Sequence, residues 1–245
     1  MRTASLVFSL FVGACVWAQE PLTSDRFVHT DSSQIPSEYQ RAVVRLGQVV
    51  GRLRVFRFDL HDMEWAPSEG GTAFAVAPGD RVATACRLID GKNPIRLLVD
   101  FQDVSRATWS ALRGSDPYPG TSNTLTLELV GKKLARSKPS GVCEVPFLYA
   151  SDMAEGSGYE NNPNYARGTF PGAIEVRRYA TKPAKKGSMA LVGFPNEQVR
   201  KGVAFGSYES VRPALQESGL SGAPVVELDA RARGGLGTLW INLGG

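Results

Sequence analysis

Histidine is nearly missing from this chain: two residues in 245, His29 and His61. That excludes a His-rich metal cluster and leaves few side chains able to serve as a general base near neutral pH. Cysteine is scarce as well, at three. After the N-terminus nothing approaches the ~18 consecutive apolar residues of a membrane span. Glycine and proline are plentiful, at 26 and 15, yet they follow no triplet period, which removes collagen-like and low-complexity readings. What is present is a 42% hydrophobic, 21% charged composition. This is too apolar for a disordered chain and enough for a core, in one domain or two small subdomains sharing a crevice. Breakers spread so evenly leave little room for long helices and favour many short strands.

The N-terminus reads as an export signal. Arg2 supplies a positive start, Ala4 to Val12 a short apolar run, and Val16-Trp17-Ala18 a cleavage site before Gln19. Val12-Gly13-Ala14-Cys15 also resembles a lipobox, in which Cys15 would become a lipidated terminus; cleavage after Ala18 is preferred because the run before Cys15 is short. Removal of the signal leaves Cys86 and Cys143, an even count in an oxidising compartment, which reads as one disulfide rather than a reactive thiol. The formal charge is +4, or +3 once Arg2 is gone. Basic residues gather at Arg45, Arg52, Arg54 and Arg57 and again at Lys182, Lys185, Lys186, Arg200 and Lys201. A polyanion such as a cell-surface polymer is a conceivable partner. Aromatics do not interleave with these residues as a single-strand groove requires, so specific nucleic-acid binding is not expected and solvated strand faces are the simpler reading.

Along the chain, residues 19 to 34 are linker-like. Ile35, Tyr39, Val43 and Leu46 recur at helical spacing behind Pro36. Val49 to Phe58 alternates apolar and basic residues from Leu53 on, as a half-buried strand does. His61 to Gly71 reads as a loop. Further strands are expected at Thr72–Val76, Val82–Thr84, Ile95–Phe101, Leu125–Val130, Val145–Tyr149, Ile174–Tyr179, Met189–Val192, Val203–Tyr208, Val225–Leu228 and Leu236–Leu243. No helical pattern stands between them, so the expected class is all-β, barrel or sandwich.

Gly219-Leu220-Ser221-Gly222-Ala223-Pro224 is the most informative stretch. A serine between glycines on a tight turn exposes its Oγ, and the amides of Gly219 and Ser221 can converge as an anion hole. A valine-rich strand follows. Together with Gly71-Thr72-Ala73-Phe74-Ala75-Val76, Val82-Ala83-Thr84-Ala85-Cys86-Arg87, Lys186 to Pro195 and Gly202-Val203-Ala204-Phe205-Gly206, this resembles the chymotrypsin-fold serine proteases. The bacterial trypsin-like (Deg/HtrA-type) branch is the nearest, and the resemblance spans roughly Ala42 to Gly245. It implies a two-subdomain double β-barrel: signal peptide 1–18, linker and helix start 19–41, first barrel 42–152, connector 153–172, second barrel 173–245. The family usually carries one more strand, so the resemblance implies either a second barrel left incomplete beyond the last strand or a truncated reading frame.

The departures from the family matter most. Its catalytic histidine position holds Arg87, and a guanidinium donates hydrogen bonds but cannot take a proton from a serine. The best match to its aspartate is Glu144. The resemblance therefore implies an Arg87–Glu144 ion pair in place of the relay, and a Cys86–Cys143 disulfide between the same two segments. Leu220 replaces the polar residue usual before the serine. Leu215 falls where the floor of the primary specificity pocket would be, and would favour an apolar side chain. Neither a metal nor a cofactor is implied. The leading expectation is an exported, catalytically silent protease homologue that binds peptide or protein in its former crevice; the alternative is an active serine hydrolase using Ser221 with His61 as an unusual base.

Overall fold

The computed structural model describes residues 27–28, 33–91, 94–115, 124–131, 135–137, 141–153, 162–176, 179–180, 187–197, 200–229 and 236–243. The first helix among the described residues is α1 (Ser37–Val49), whose start is set by Pro36: its carbonyl accepts from the N–H groups of Tyr39 and Gln40. Ala42, Val43, Leu46 and Val49 make its buried face. Strands β1 (Val50–Asp59), β2 (Glu64–Pro67), β3 (Gly71–Val76) and β4 (Arg81–Ala85) follow, then the single turn α2 (Cys86–Ile89), β5 (Ile95–Phe101) and helix α3 (Arg106–Arg113). Strands β6 (Leu125–Leu129), β7 (Ala135–Ser137) and β8 (Val142–Pro146) complete the first half.

These eight strands form one antiparallel sheet in the order β6-β5-β1-β3-β4-β8-β7, with β2 folded back on β1 as a hairpin. The sheet curls into a half-barrel. Its first strand, β6, reaches the segment leaving β8 through a Leu129–Phe147 bridge, with Val130 N–H donating to Pro146 and Leu148 N–H to Glu128. Period-2 alternation explains which side chains fill the curl: Leu53 and Val55 on β1 and Leu125, Leu127 and Leu129 on β6 point in, while Arg52, Arg54, Thr126 and Glu128 do not. Phe101 stacks on Phe170 at 4.7 Å and meets Phe147 edge-on at 6.4 Å. Each fully buried side chain of this kind contributes about 1.5–3 kcal/mol.

The second half holds β9 (Ser188–Gly193), β10 (Gly202–Gly206), the short helix α4 (Tyr208–Val211), a 3₁₀ turn (Arg212–Gln216), β11 (Pro224–Leu228) and β12 (Leu236–Ile241). The sheet order is β10-β9-β11-β12. This sheet lies between two cores, and the alternation along each strand sorts residues between them. Met189, Leu191, Val225 and Trp240 enter a small core with Phe27, Val211 and Leu220, while Ala190, Val192, Val226, Leu239 and Ile241 join the main one. The N-terminal segment pairs onto the outer edge of β10, with Val28 and Val203 exchanging both backbone hydrogen bonds and Phe27 buried.

The expected β class and most strand positions hold, with several differences. The segment after His61 contains β2, which turns back along β1. The strand expected at Val145–Tyr149 lies three residues earlier, at β8. Of the strand expected at Ile174–Tyr179, the described residues Ile174 to Val176 and Tyr179 form no strand; Ile174 makes one parallel bridge to Val76. Helix α3 stands between strands, with Ser105 Oγ accepting from Thr108 N–H at its start and Gly114 at φ +68° at its end. Lys201, grouped by sequence with solvated basic residues, is buried: its amine donates to Gly47 O near the end of α1 and to Gln102 O. Among the described residues no helix is long and apolar enough to cross a membrane.

Candidate functional site

The turn joining the 3₁₀ segment to β11 carries Ser221. Gly219 and Gly222 flank it at φ +79° and +86°, conformations that glycine adopts without steric cost. At Gly222 space decides as well: a Cβ there would lie 2.1 Å from Thr72 O and 2.3 Å from Thr84 Oγ1. The turn is fastened to β3 on one side, where Thr72 N–H donates to Ser221 O (2.8 Å) and Thr72 Oγ1 to Gly219 O (2.8 Å). On the other side Asn242, just past β12, takes Gly222 N–H on its carbonyl (2.6 Å) and gives its side-chain amide to Leu215 O (2.9 Å) and Leu220 O (3.0 Å). Thr72 and Thr84 lie in segments that carry the resemblance and Asn242 does not, but only the meeting of β3, β4 and β12 at one loop reveals that all three hold the serine turn. Leu220, where a polar anchor is usual, fills the small core instead. Leu215 packs half-buried against that same core.

Ser221 is 3% exposed. Its hydroxyl accepts from Arg87 Nε at 3.0 Å and donates to the Leu243 carbonyl at 3.2 Å. The same Arg87 N–H also reaches Leu243 O, at 2.7 Å, and the far end of the guanidinium meets Glu69 Oε1 at 3.1 Å. Arg87 and Glu69 are both exposed, so that ion pair adds at most about 1 kcal/mol and serves to orient the guanidinium. The serine proton therefore points at a carbonyl, which cannot take it, and the oxygen faces a cation. The N–H groups of Gly219 and Ser221 have no hydrogen-bond partner among the described residues. A cleft of about 130 Å³ opens beside Gly219, lined by Arg52, Phe56, Pro67, Ser68, Gly71 and Phe194 among others.

Cys86 and Cys143 are joined as a disulfide, Cα to Cα 4.9 Å. The Arg87–Glu144 ion pair expected beside it does not form. Successive residues of a strand face opposite ways, so the orientation that turns Cys143 toward Cys86 turns Glu144 away. Glu144 sits opposite Ala83, and the β8 end that meets Cys86 is Gly141, whose carbonyl accepts its N–H. The Glu144 carboxylate instead accepts from Tyr179 Oη (2.7 Å) and lies 3.8 Å from Arg81. Burial, followed by the Glu144 carboxylate, holds the Tyr179 phenol far above its ordinary range. Since Ala180 N–H donates to Leu239 O, this contact ties the first sheet to β12.

His61 is exposed in the turn of the β1–β2 hairpin. Leu53 pairs with Gly71, which abuts Ser221, and six residues of strand separate Leu53 from Asp59 at the tip, about 20 Å at 3.3 Å per residue. His29, Lys182, Lys185, Lys186 and Cys15 lie outside the described residues. Among those described no three His, Cys, Asp or Glu side chains cluster as metal ligands. Of the basic group on β1, Arg54 pairs with Asp100 (2.8 Å) and Arg57 donates to Leu88 O and Asp90 O, so these two cations are committed within the fold. No family model matches the chain, and no curated protein matches it.

Proposed function

We propose that the chain is an exported, catalytically silent homologue of the trypsin-like, Deg/HtrA-type serine proteases, acting as a binding or structural module. The observation that carries this reading is the Ser221 hydroxyl held between Arg87 Nε and the Leu243 carbonyl, with no base in contact among the described residues. A serine without an adjacent base is a poor nucleophile, and loss of the triad removes roughly 10⁴–10⁶ in turnover. The finer architecture belongs to the same proposal: two barrels, 42–152 and 173–245, with Arg87 at the former histidine position. The half-barrel curl of the first sheet and the glycine-flanked Ser221 turn support it. The disulfide supports an oxidising compartment, in keeping with cleavage of residues 1–18. Peptide or protein seated in the crevice is the expected ligand class.

The test is hydrolysis of an unfolded protein and of activated esters by the mature chain and by its Ser221→Ala variant. The two are expected to share one background rate. A rate that falls in Ser221→Ala would overturn the reading and restore the hydrolase alternative.

A further inference from the structure

Arg52 stands opposite Thr72 across β1 and β3, and Thr72 Oγ1 donates to Gly219 O at 2.8 Å while accepting from Phe194 N–H at 3.3 Å. Directly paired strand residues share a face of the sheet, so Arg52, Phe194 and Gly219 come to line one cleft of about 130 Å³. Arg52 is half-buried and has no hydrogen-bond or ion-pair partner among the described residues. Asp100, its neighbour on β5, is already committed: its carboxylate takes Arg54 at 2.7 and 2.8 Å and Thr126 at 2.7 Å. The Gly219 N–H is likewise without a partner among the described residues. The lining side chains include no carboxylate, and the Ser68 hydroxyl accepts from Arg57 Nε at 3.3 Å, which leaves its proton to donate. Phe56, Pro67 and Phe194 supply apolar wall. An unpaired guanidinium and an unpaired amide beside apolar walls match an anion that carries an apolar body.

We infer that this cleft captures the C-terminal residue of a peptide, its carboxylate on Arg52 and the Gly219 amide and its aliphatic side chain against Phe56, Pro67 and Phe194. Size selects a chain end. The cleft is well below the roughly 300–1,000 Å³ of a pocket for a whole small molecule, and it suits one terminal residue rather than a chain running through. Backbone amides and arginine forks are recurrent devices for holding a terminal carboxylate. Glu69 stands between two lining residues, Ser68 and Gly70, with its own carboxylate on Arg87 at 3.1 Å. Its charge opposes an incoming carboxylate. The inference rests on the reading above only in taking peptide as the ligand.

Titration of the mature chain with N-acetyl-valine, followed by amide NMR, tests this, because the Gly219 N–H is itself a probe. A saturable shift of that resonance is expected. Binding should weaken about tenfold or more in Arg52→Gln, less in Arg52→Lys, and about tenfold or more when N-acetyl-valinamide replaces the acid. It should strengthen in Glu69→Gln. Amide resonances unchanged away from the cleft show that each variant folds. No shift at Gly219, or a shift indifferent to Arg52→Gln, would overturn the proposal. So would acetate binding as tightly as N-acetyl-valine, which marks a simple anion site, or N-acetyl-aspartic acid α-amide doing so, which marks a side-chain carboxylate as the ligand. A pentapeptide ending in valine separates the two readings. Its Ser221-dependent cleavage would overturn the silent-protease reading, whereas an intact peptide that binds no better than its C-terminal amide would overturn this inference alone.

Discussion

At Gly222 backbone and neighbours impose the same residue, since φ is +86° and the space a side chain would take is filled by Thr72 O and Thr84 Oγ1. Gly222→Ala is expected to destabilise the fold by about 3 kcal/mol or more, combining a left-handed Ala with a backbone clash; chemical denaturation measures it, and a loss below about 1 kcal/mol would contradict the described turn. Lys201 offers a second test. Burial brings its amine down to about 8, against the opposing pull of Asp103, from an ordinary 10.5. Below pH 8 both folded and unfolded chains hold the proton, and the folded state bears the full cost of a buried charge. Between pH 8 and 10.5 the unfolded chain binds more protons, so stability rises with pH, by roughly 3 kcal/mol in total from this group. Relative to Lys201→Met, the wild-type chain should therefore gain stability across that window. A stability difference that stays flat with pH would contradict the burial.

At the scale of elements, legibility followed how local each signal is. The strand of alternating apolar and basic residues and the glycine-flanked serine turn are dictated by neighbours in sequence, and both were readable. The capping signals of α3, Ser105 and Gly114, are present too, but a helix of 8 residues is short, and Trp109 and Leu112 are its only large apolar side chains. Strand β8 begins three residues before the position its own residues suggest, because its pairing to β4, a long-range contact, sets it. That same pairing carries the expected Cys86–Cys143 link and turns Glu144 away from Arg87. The cross-link closes a separation of 57 residues, worth about 2–4 kcal/mol. Replacing both cysteines by serine should lower the denaturation free energy by that amount, and an unchanged value would contradict it. Arg87→His is expected to leave ester hydrolysis at the Ser221→Ala background, because Glu144 is turned away and held by Tyr179 and Arg81. A Ser221-dependent rise in rate would show that a histidine alone can re-form a relay.

The described residues form a curled sheet and a second one, fastened by Thr72, Tyr179 and Lys201, with the Asn242 end of β12 holding the serine turn. None of these contacts is announced in the sequence, because each meets a partner at least 22 residues away, and up to 154 in the case of Lys201. Their convergence leaves one serine where the sequence resemblance places a nucleophile, with an arginine and a backbone carbonyl as its company. The central claim, that this hydroxyl is chemically quiet, is tested most directly by intact-mass spectrometry after exposure to a fluorophosphonate. The account predicts no adduct beyond that seen with Ser221→Ala. Stoichiometric phosphonylation that disappears in Ser221→Ala would contradict it.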